Sequence, residues 1–167
     1  MKLLNTLFLS VSVAILDTLY KGRHFQRFWV LEEIARAPYF AFISVLHLRE
    51  SLGLRGQVHI DLMKEHFAQT LNETEHLEEM ERREGNKYWI DRFFARHLVL
   101  FYYWVNVIYY LLDPINAYDL SEKIEWHAAE TYSKYLEEFP QDEKISAIMQ
   151  DEIHHAQELS AAIKLIT

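Results

Sequence analysis

Apolar positions along the chain recur at spacings of three and four with few interruptions, a pattern that predicts an all-helical protein. Met1 to Leu19 is largely apolar, with Leu4, Val11 and Ile15 on one helical face, Leu7 and Phe8 beside them, and Lys21 and Arg23 following. Asp17 and the lack of a small-x-small cleavage site weigh against a secretory signal, and an amphipathic helix on a membrane surface over about residues 1–22 is expected. A second helix is predicted from about Phe25 to Leu52, with Phe28, Glu32, Ala35, Tyr39, Phe42 and Leu46 on one stripe. Pro38 lies inside it and should kink it, since an interior proline costs about 3 kcal/mol. A third helix is predicted from about Val58 to Arg83, with Leu62, His66, Gln69, Glu73, His76 and Met80 on one mixed face, and "EGNK" stops it.

The run from Leu98 to Leu112 is apolar except for Asn106 and crowded with Tyr, Phe and Trp. It is shorter than the roughly 20 residues of a spanning helix, so it is expected either inside the protein or dipped into one leaflet. "LDPINAYDLS" is read as a turn, with Ser121 as N-cap of a fifth helix near Glu122 to Phe139 that aligns Glu125, Ala128, Tyr132 and Leu136. A sixth helix, near Lys144 to Ile166, aligns Ile148, Glu152, His155, Leu159 and Ala162. No linker-like stretch interrupts the chain, and residues 1–167 are expected to form a single domain.

Composition narrows the function. The 167 residues are 50% hydrophobic and 14% aromatic, enough for a real core. A net charge of −8 with no basic stripe speaks against a nucleic-acid partner. With no cysteine there is no disulfide, thiolate metal site or thiol regulation.

The chemistry lies in acidic residues on apolar stripes. Glu73/His76 and Glu152/His155 are each Glu-x-x-His pairs, and residues three apart share a helical face. Glu32 and Glu125 sit singly on two further helices. One Glu from each of two helices plus Glu-x-x-His from each of two others is the ligand set of a ferritin-like di-iron bundle. A single such pair would more often be a solvated face, but Glu152/His155 lies on an apolar stripe where a carboxylate without a counter-charge is costly. Asp151/His154 competes one residue out of register, Glu33 competes with Glu32 at almost equal phase, and Glu130 competes with Glu125. Carboxylate-rich ligation suits iron, with manganese as the rival. Tyr132, two turns from Glu125, is either a core residue or a redox-active phenol. Asn72 and Asp151, each preceding a ligand glutamate, are either ordinary surface residues or hydrogen-bond partners of ligand imidazoles.

The stretch "ILDTLYKGRHFQRFWVLEEIARAPYFAFISVLHLRESLG", with "NETEHL", "FYYW", "EWHAAETYSKYL" and "DEIHH", closely resembles the plastid terminal oxidase branch of the alternative oxidases, from about Ile15 to Gln157. The resemblance implies an all-α, ferritin-like four-helix bundle with two additional membrane-associated helices, holding two iron ions. It implies a plastoquinol:oxygen oxidoreductase that reduces O2 to water without pumping protons, bound to one membrane leaflet as a homodimer. It places the iron ligands on Glu32, Glu73, His76, Glu125, Glu152 and His155, the essential tyrosine on Tyr132, and the quinol contacts on Arg27, Leu31 and Thr131. His127 stands where the mitochondrial branch has glutamate and the plastid branch histidine. Glu33 replaces the usual threonine, and the interval from Glu125 to Glu152 is shorter than in plastid members. Without a transit peptide, the chain is expected to be a compact prokaryotic or viral form in a cytoplasmic or thylakoid membrane. The competing functions are a di-iron hydroxylase acting on a quinone or lipid, and a non-catalytic ferritin-like metal-binding protein.

Overall fold

The computed structural model describes residues 2–166, and those residues form six α-helices and no strand. They are α1 (Lys2–Leu19), α2 (His24–Ser51), α3 (Gln57–Arg82), α4 (Trp89–Leu112), α5 (Pro114–Glu138) and α6 (Glu143–Ile166). The all-α class expected from the apolar spacing is therefore the one observed. Two compact units are present: Met1–His24 with Tyr118–Thr167, and Phe25–Ala117.

In the first unit, α6 buries Ile148, Glu152, His155, Leu159 and Ala162, the stripe its sequence predicts, together with Ile145 and Ala156. Asp142 starts this helix by accepting the Ile145 N–H at 3.3 Å through Oδ1, while the Tyr135 hydroxyl donates to its other oxygen at 3.2 Å. Helix α1 is fastened to α5 by a buried polar contact, Asn5 Nδ2 donating to Asp119 Oδ2 at 2.8 Å. Lys123 closes on the same carboxylate at 2.5 Å. Leu16 on α1 is buried too, while Leu4, Leu7, Phe8, Val11 and Ile15 are all exposed.

The turn and N-cap expected around Ser121 are not there. Helix α5 begins seven residues earlier, at Pro114, and Ser121 is buried within it. Proline suits the first helical position because its φ is preset and that N–H has no intrahelical partner anyway. Asp113 is the cap: Oδ1 accepts the Asn116 N–H at 3.2 Å, and its carbonyl accepts the Ala117 N–H at 3.0 Å.

In the second unit, α2 buries residues on more than one face, Trp29, Val30, Leu31, Ala37 and Ala41 in addition to the predicted stripe. It continues through Pro38 as one helix. Burial of this kind outweighs local propensity, which is a weak preference. Helices α2 and α3 end in the same hydrogen-bonded motif with different residues. At the end of α2, Gly53 takes the left-handed position (φ 81°), donating to Glu50 O while Leu54 donates to Arg49 O. At the end of α3, Glu84 takes that position (φ 61°) and donates to Glu81 O, while Gly85 donates to Met80 O. Glycine has moved one place along because a Cβ on Gly85 would lie 2.5 Å from Phe25 O and 2.7 Å from Trp29 Cβ. Gly85→Ala should therefore destabilise the fold by about 1–3 kcal/mol, the usual range for overpacking. Thermal melts would read this, and an unchanged melting temperature would show that the neighbouring backbone yields freely.

Helix α4 buries a narrow and partly polar stripe, Asp91, Ala95, Tyr102, Asn106 and Tyr110. Its large apolar residues, among them Trp89, Phe94, Leu98, Phe101, Trp104 and Ile108, are exposed. Of the two placements expected for this run, burial inside the protein is thereby excluded for these residues. No helix among the described residues is long and apolar enough to cross a membrane.

Candidate metal centre

Each unit brings together one lone glutamate and one Glu-x-x-His pair. In the second unit, α2 supplies Glu32 and α3 supplies Glu73 and His76, all buried. His76 Nδ1 lies 3.6 Å from Glu32 Oε2 and 4.0 Å from Glu73 Oε2. These separations are too long for hydrogen bonds and suit donors arranged about one cation. In the first unit, α5 supplies Glu125 and α6 supplies Glu152 and His155, again buried. Within each triad, one donor atom per residue lies within 4.8 Å of the others.

The electrostatics of the Glu32 triad favour a bound cation. Burial pushes the Glu32 carboxyl up to about 8; His76 beside it pulls the other way, and the Glu73 charge adds to the rise. A carboxylate in such a place stays ionised only if a positive charge compensates it. Four carboxylates and two imidazoles, with no thiolate, fit iron by the softness of the donors.

The competing residues lie elsewhere. Glu33 is half-buried and paired with Arg36 at 3.0 Å. His154 is exposed and paired with Glu158 at 3.1 Å, while Asp151 is half-buried. Glu130 is exposed and paired with Lys134 at 2.8 Å. Among the unassigned histidines, His66 is a satisfied core residue: it shares a 2.8 Å hydrogen bond with Gln69, and burial lowers its pKa to about 4.

Tyr132 is fully buried on the α5 face that carries Glu125 and Ala128. Thr131 is buried, and its hydroxyl donates to His127 O at 2.8 Å, leaving the oxygen as an acceptor. On α2, Leu31 is buried and Arg27 half-buried; Asn72 on α3 is half-buried too. The pattern of apolar positions did not reveal the Asn5–Asp119–Lys123 network, although Asp119 and Lys123 stand at an ion-pairing i,i+4 spacing.

Without a bound cation, the protein should respond to pH in the direction that the raised Glu32 pKa gives. The folded pKa of Glu32 stands above the ordinary 4.5, so its contribution to stability is complete below that value and is lost as pH rises through about 8. His66 works oppositely, its contribution being lost as pH falls from 6.5 towards about 4. The Glu32 effect is therefore read most cleanly between about pH 6.5 and 8. Melts in chelator should show the melting temperature falling across that window, and iron should flatten the fall. A flat iron-free profile would overturn the assignment of a raised Glu32 pKa.

A helical protein with two buried Glu/His triads, each able to hold a metal ion, has the donor set of the helical di-metal carboxylate proteins. The match to known sequences is more specific: the family model for alternative oxidase fits residues 2–158, and the chain belongs to that family. It is 52% identical over 124 residues to "Ubiquinol oxidase 4, chloroplastic/chromoplastic" of Arabidopsis thaliana. The match covers 74% of this chain and 35% of that relative, so the chain spans about a third of the relative's length. The relative is a plant chloroplast protein, and it lends nothing to the expected prokaryotic or viral origin. No solved structure matches.

Proposed function

We propose that this protein is a membrane-surface quinol oxidase that uses two iron ions to oxidise plastoquinol, or a related quinol, and reduce O2 to water. The observation that carries the reading is the burial of the six ligands Glu32, Glu73, His76, Glu125, Glu152 and His155 as two matched triads. Bound iron would supply the redox centre that passes electrons from quinol to O2. Two quinols release four electrons and four protons, which is what one O2 consumes in becoming two waters.

The chain's own residues would bind, orient and keep dry. The Arg27 guanidinium would donate to a quinol oxygen, Leu31 would contact the ring, and the Thr131 oxygen would accept from a quinol hydroxyl. Tyr132, in full burial, would deliver a proton or an electron from its hydroxyl during O–O cleavage. Asn72 and Asp151 would orient ligand imidazoles. His127, the residue of the plastid branch at its position, favours plastoquinol over ubiquinol.

The outward apolar faces of α1 and α4 would lie in one leaflet, where a lipid-soluble quinol is found. The protein would thus be monotopic in a quinol-containing membrane of thylakoid type, and a homodimer as in the family it resembles. Oxygen uptake by purified, iron-loaded protein with plastoquinol and ubiquinol analogues tests the function. Uptake matched to quinol loss at one O2 per two quinols is expected. Quinol-independent iron uptake without oxygen reduction would instead favour metal storage.

A further inference from the structure

Two helical turns from the Glu32 triad, the second unit holds a buried tyrosine that the proposed oxidase chemistry does not use. Contacts at Glu32–His76 and at Tyr39–His66 show α2 and α3 running antiparallel. Tyr39 follows Glu32 by seven residues on α2, and His66 precedes Glu73 by seven on α3. Seven residues are about 10 Å of helix, so both helices carry the pair the same distance from the ligands. Tyr39 and His66 are fully buried. Their ring centroids lie 5.9 Å apart, with the planes inclined by 35°. A phenol hydroxyl donating to an imidazole nitrogen at ordinary distance, with the usual bend at the oxygen, sets the centroids roughly 6 Å apart. The observed separation suits that edge-on arrangement.

The state of the imidazole is set from its other side. His66 Nδ1 lies 2.8 Å from Gln69 Oε1. A carbonyl oxygen only accepts, so Nδ1 carries the hydrogen and Nε2 keeps its lone pair. Burial lowers the His66 pKa to about 4, so the ring is neutral in the resting protein. Phe42 packs on both rings, 6.3 Å from Tyr39 and 5.3 Å from His66. Phenol and imidazole are costly groups to bury in a place that apolar side chains could fill.

We propose that Tyr39 is a redox-active tyrosine, with His66 as its proton acceptor, that stores one oxidising equivalent from the iron centre when O2 has reacted and quinol is short. Tyr39 loses one electron to the O2-derived oxidant at the centre, and its O–H bond breaks as the proton passes to His66 Nε2. A neutral phenoxyl radical and an imidazolium result. The next quinol supplies an electron through the centre, the proton returns from His66, and the phenol re-forms. The low basicity of the buried imidazole favours that return. Gln69 is a positioning residue, since its Oε1 keeps Nε2 as the acceptor. The role is separate from the one assigned to Tyr132 in O–O cleavage, and it rests on the iron and oxygen reading above.

Nitrogen NMR of the imidazoles in the iron-free protein tests the pair. His66 is expected as the neutral Nδ1–H form at neutral pH, with an Nε2 resonance that shifts in Tyr39→Phe. The Nε2–H form, or a resonance indifferent to Tyr39→Phe, would overturn the pairing. Electron paramagnetic resonance tests the radical. Iron-loaded Tyr132→Phe protein is reduced with dithionite, exposed to O2 without quinol and frozen. A phenoxyl signal is expected, absent when Tyr39→Phe is added. It should be absent or several-fold weaker when His66→Leu or Gln69→Leu is added instead, with iron content unchanged. A signal that survives Tyr39→Phe, or none in protein whose iron O2 has reoxidised, would overturn the proposal. Quinol-dependent oxygen uptake by the parent reads the oxidase separately. A Tyr39 radical without such uptake would count against the oxidase and leave the tyrosine pair standing, while uptake without the radical would do the reverse.

Discussion

Glu73→Ala and Glu152→Ala should each strip iron and oxygen uptake together. Each glutamate is wholly buried, each belongs to a different triad, and the proposed centre uses both. Losing a partner outside the ligand set commonly costs about 10–100-fold in metal affinity, and losing a ligand should cost more. Iron content should fall from about two per chain to well below one, as measured on protein purified in parallel with the parent. Glu130→Ala removes an exposed, Lys134-paired carboxylate and should leave both readouts unchanged. Full iron content in both ligand variants would refute the ligand assignment itself.

Tyr132→Phe should separate iron binding from catalysis. The ring stays, and only the hydroxyl leaves a fully buried position, so packing should survive. Phenol is not among the six ligands, and iron should remain bound. If the hydroxyl delivers a proton or electron during O–O cleavage, quinol-dependent uptake should fall at least about tenfold, equivalent to about 1.4 kcal/mol of barrier. Arg27→Ala should behave differently, raising the quinol concentration needed for half-maximal rate while iron is retained. An iron-loaded Phe variant as fast as the parent would reduce Tyr132 to a core residue.

The stripes of α3 and α6, and that of α5 from Ile124 onward, were legible because each has one buried face, and the period of 3.6 marks that face directly. Helix α2 was less so. It is buried on several sides, so apolar phase could not rank Glu32 over Glu33, and the structure separates them by surroundings: a triad for one, Arg36 for the other. The start of α5 was misread because Asp-Pro suggests a turn by composition, while its role depends on cap geometry that no periodicity reports. The orientation of α4 was left open for a similar reason. An apolar run announces burial, and sequence alone does not say whether protein or lipid provides it.

The Asn5–Asp119 bond has a practical consequence for anyone wanting this protein with fewer exposed apolar residues. Deleting α1 looks attractive, because the helix presents Leu4, Leu7, Phe8, Val11 and Ile15 to the outside. It would also remove the amide that holds Asp119 on α5, six positions before Glu125 and thirteen before Tyr132. A handle-free version is better made by replacing those outward leucines and valine with polar residues while Asn5 and the buried Leu16 are kept, so that solubility is engineered on the rind of the helix and its clasp is left alone.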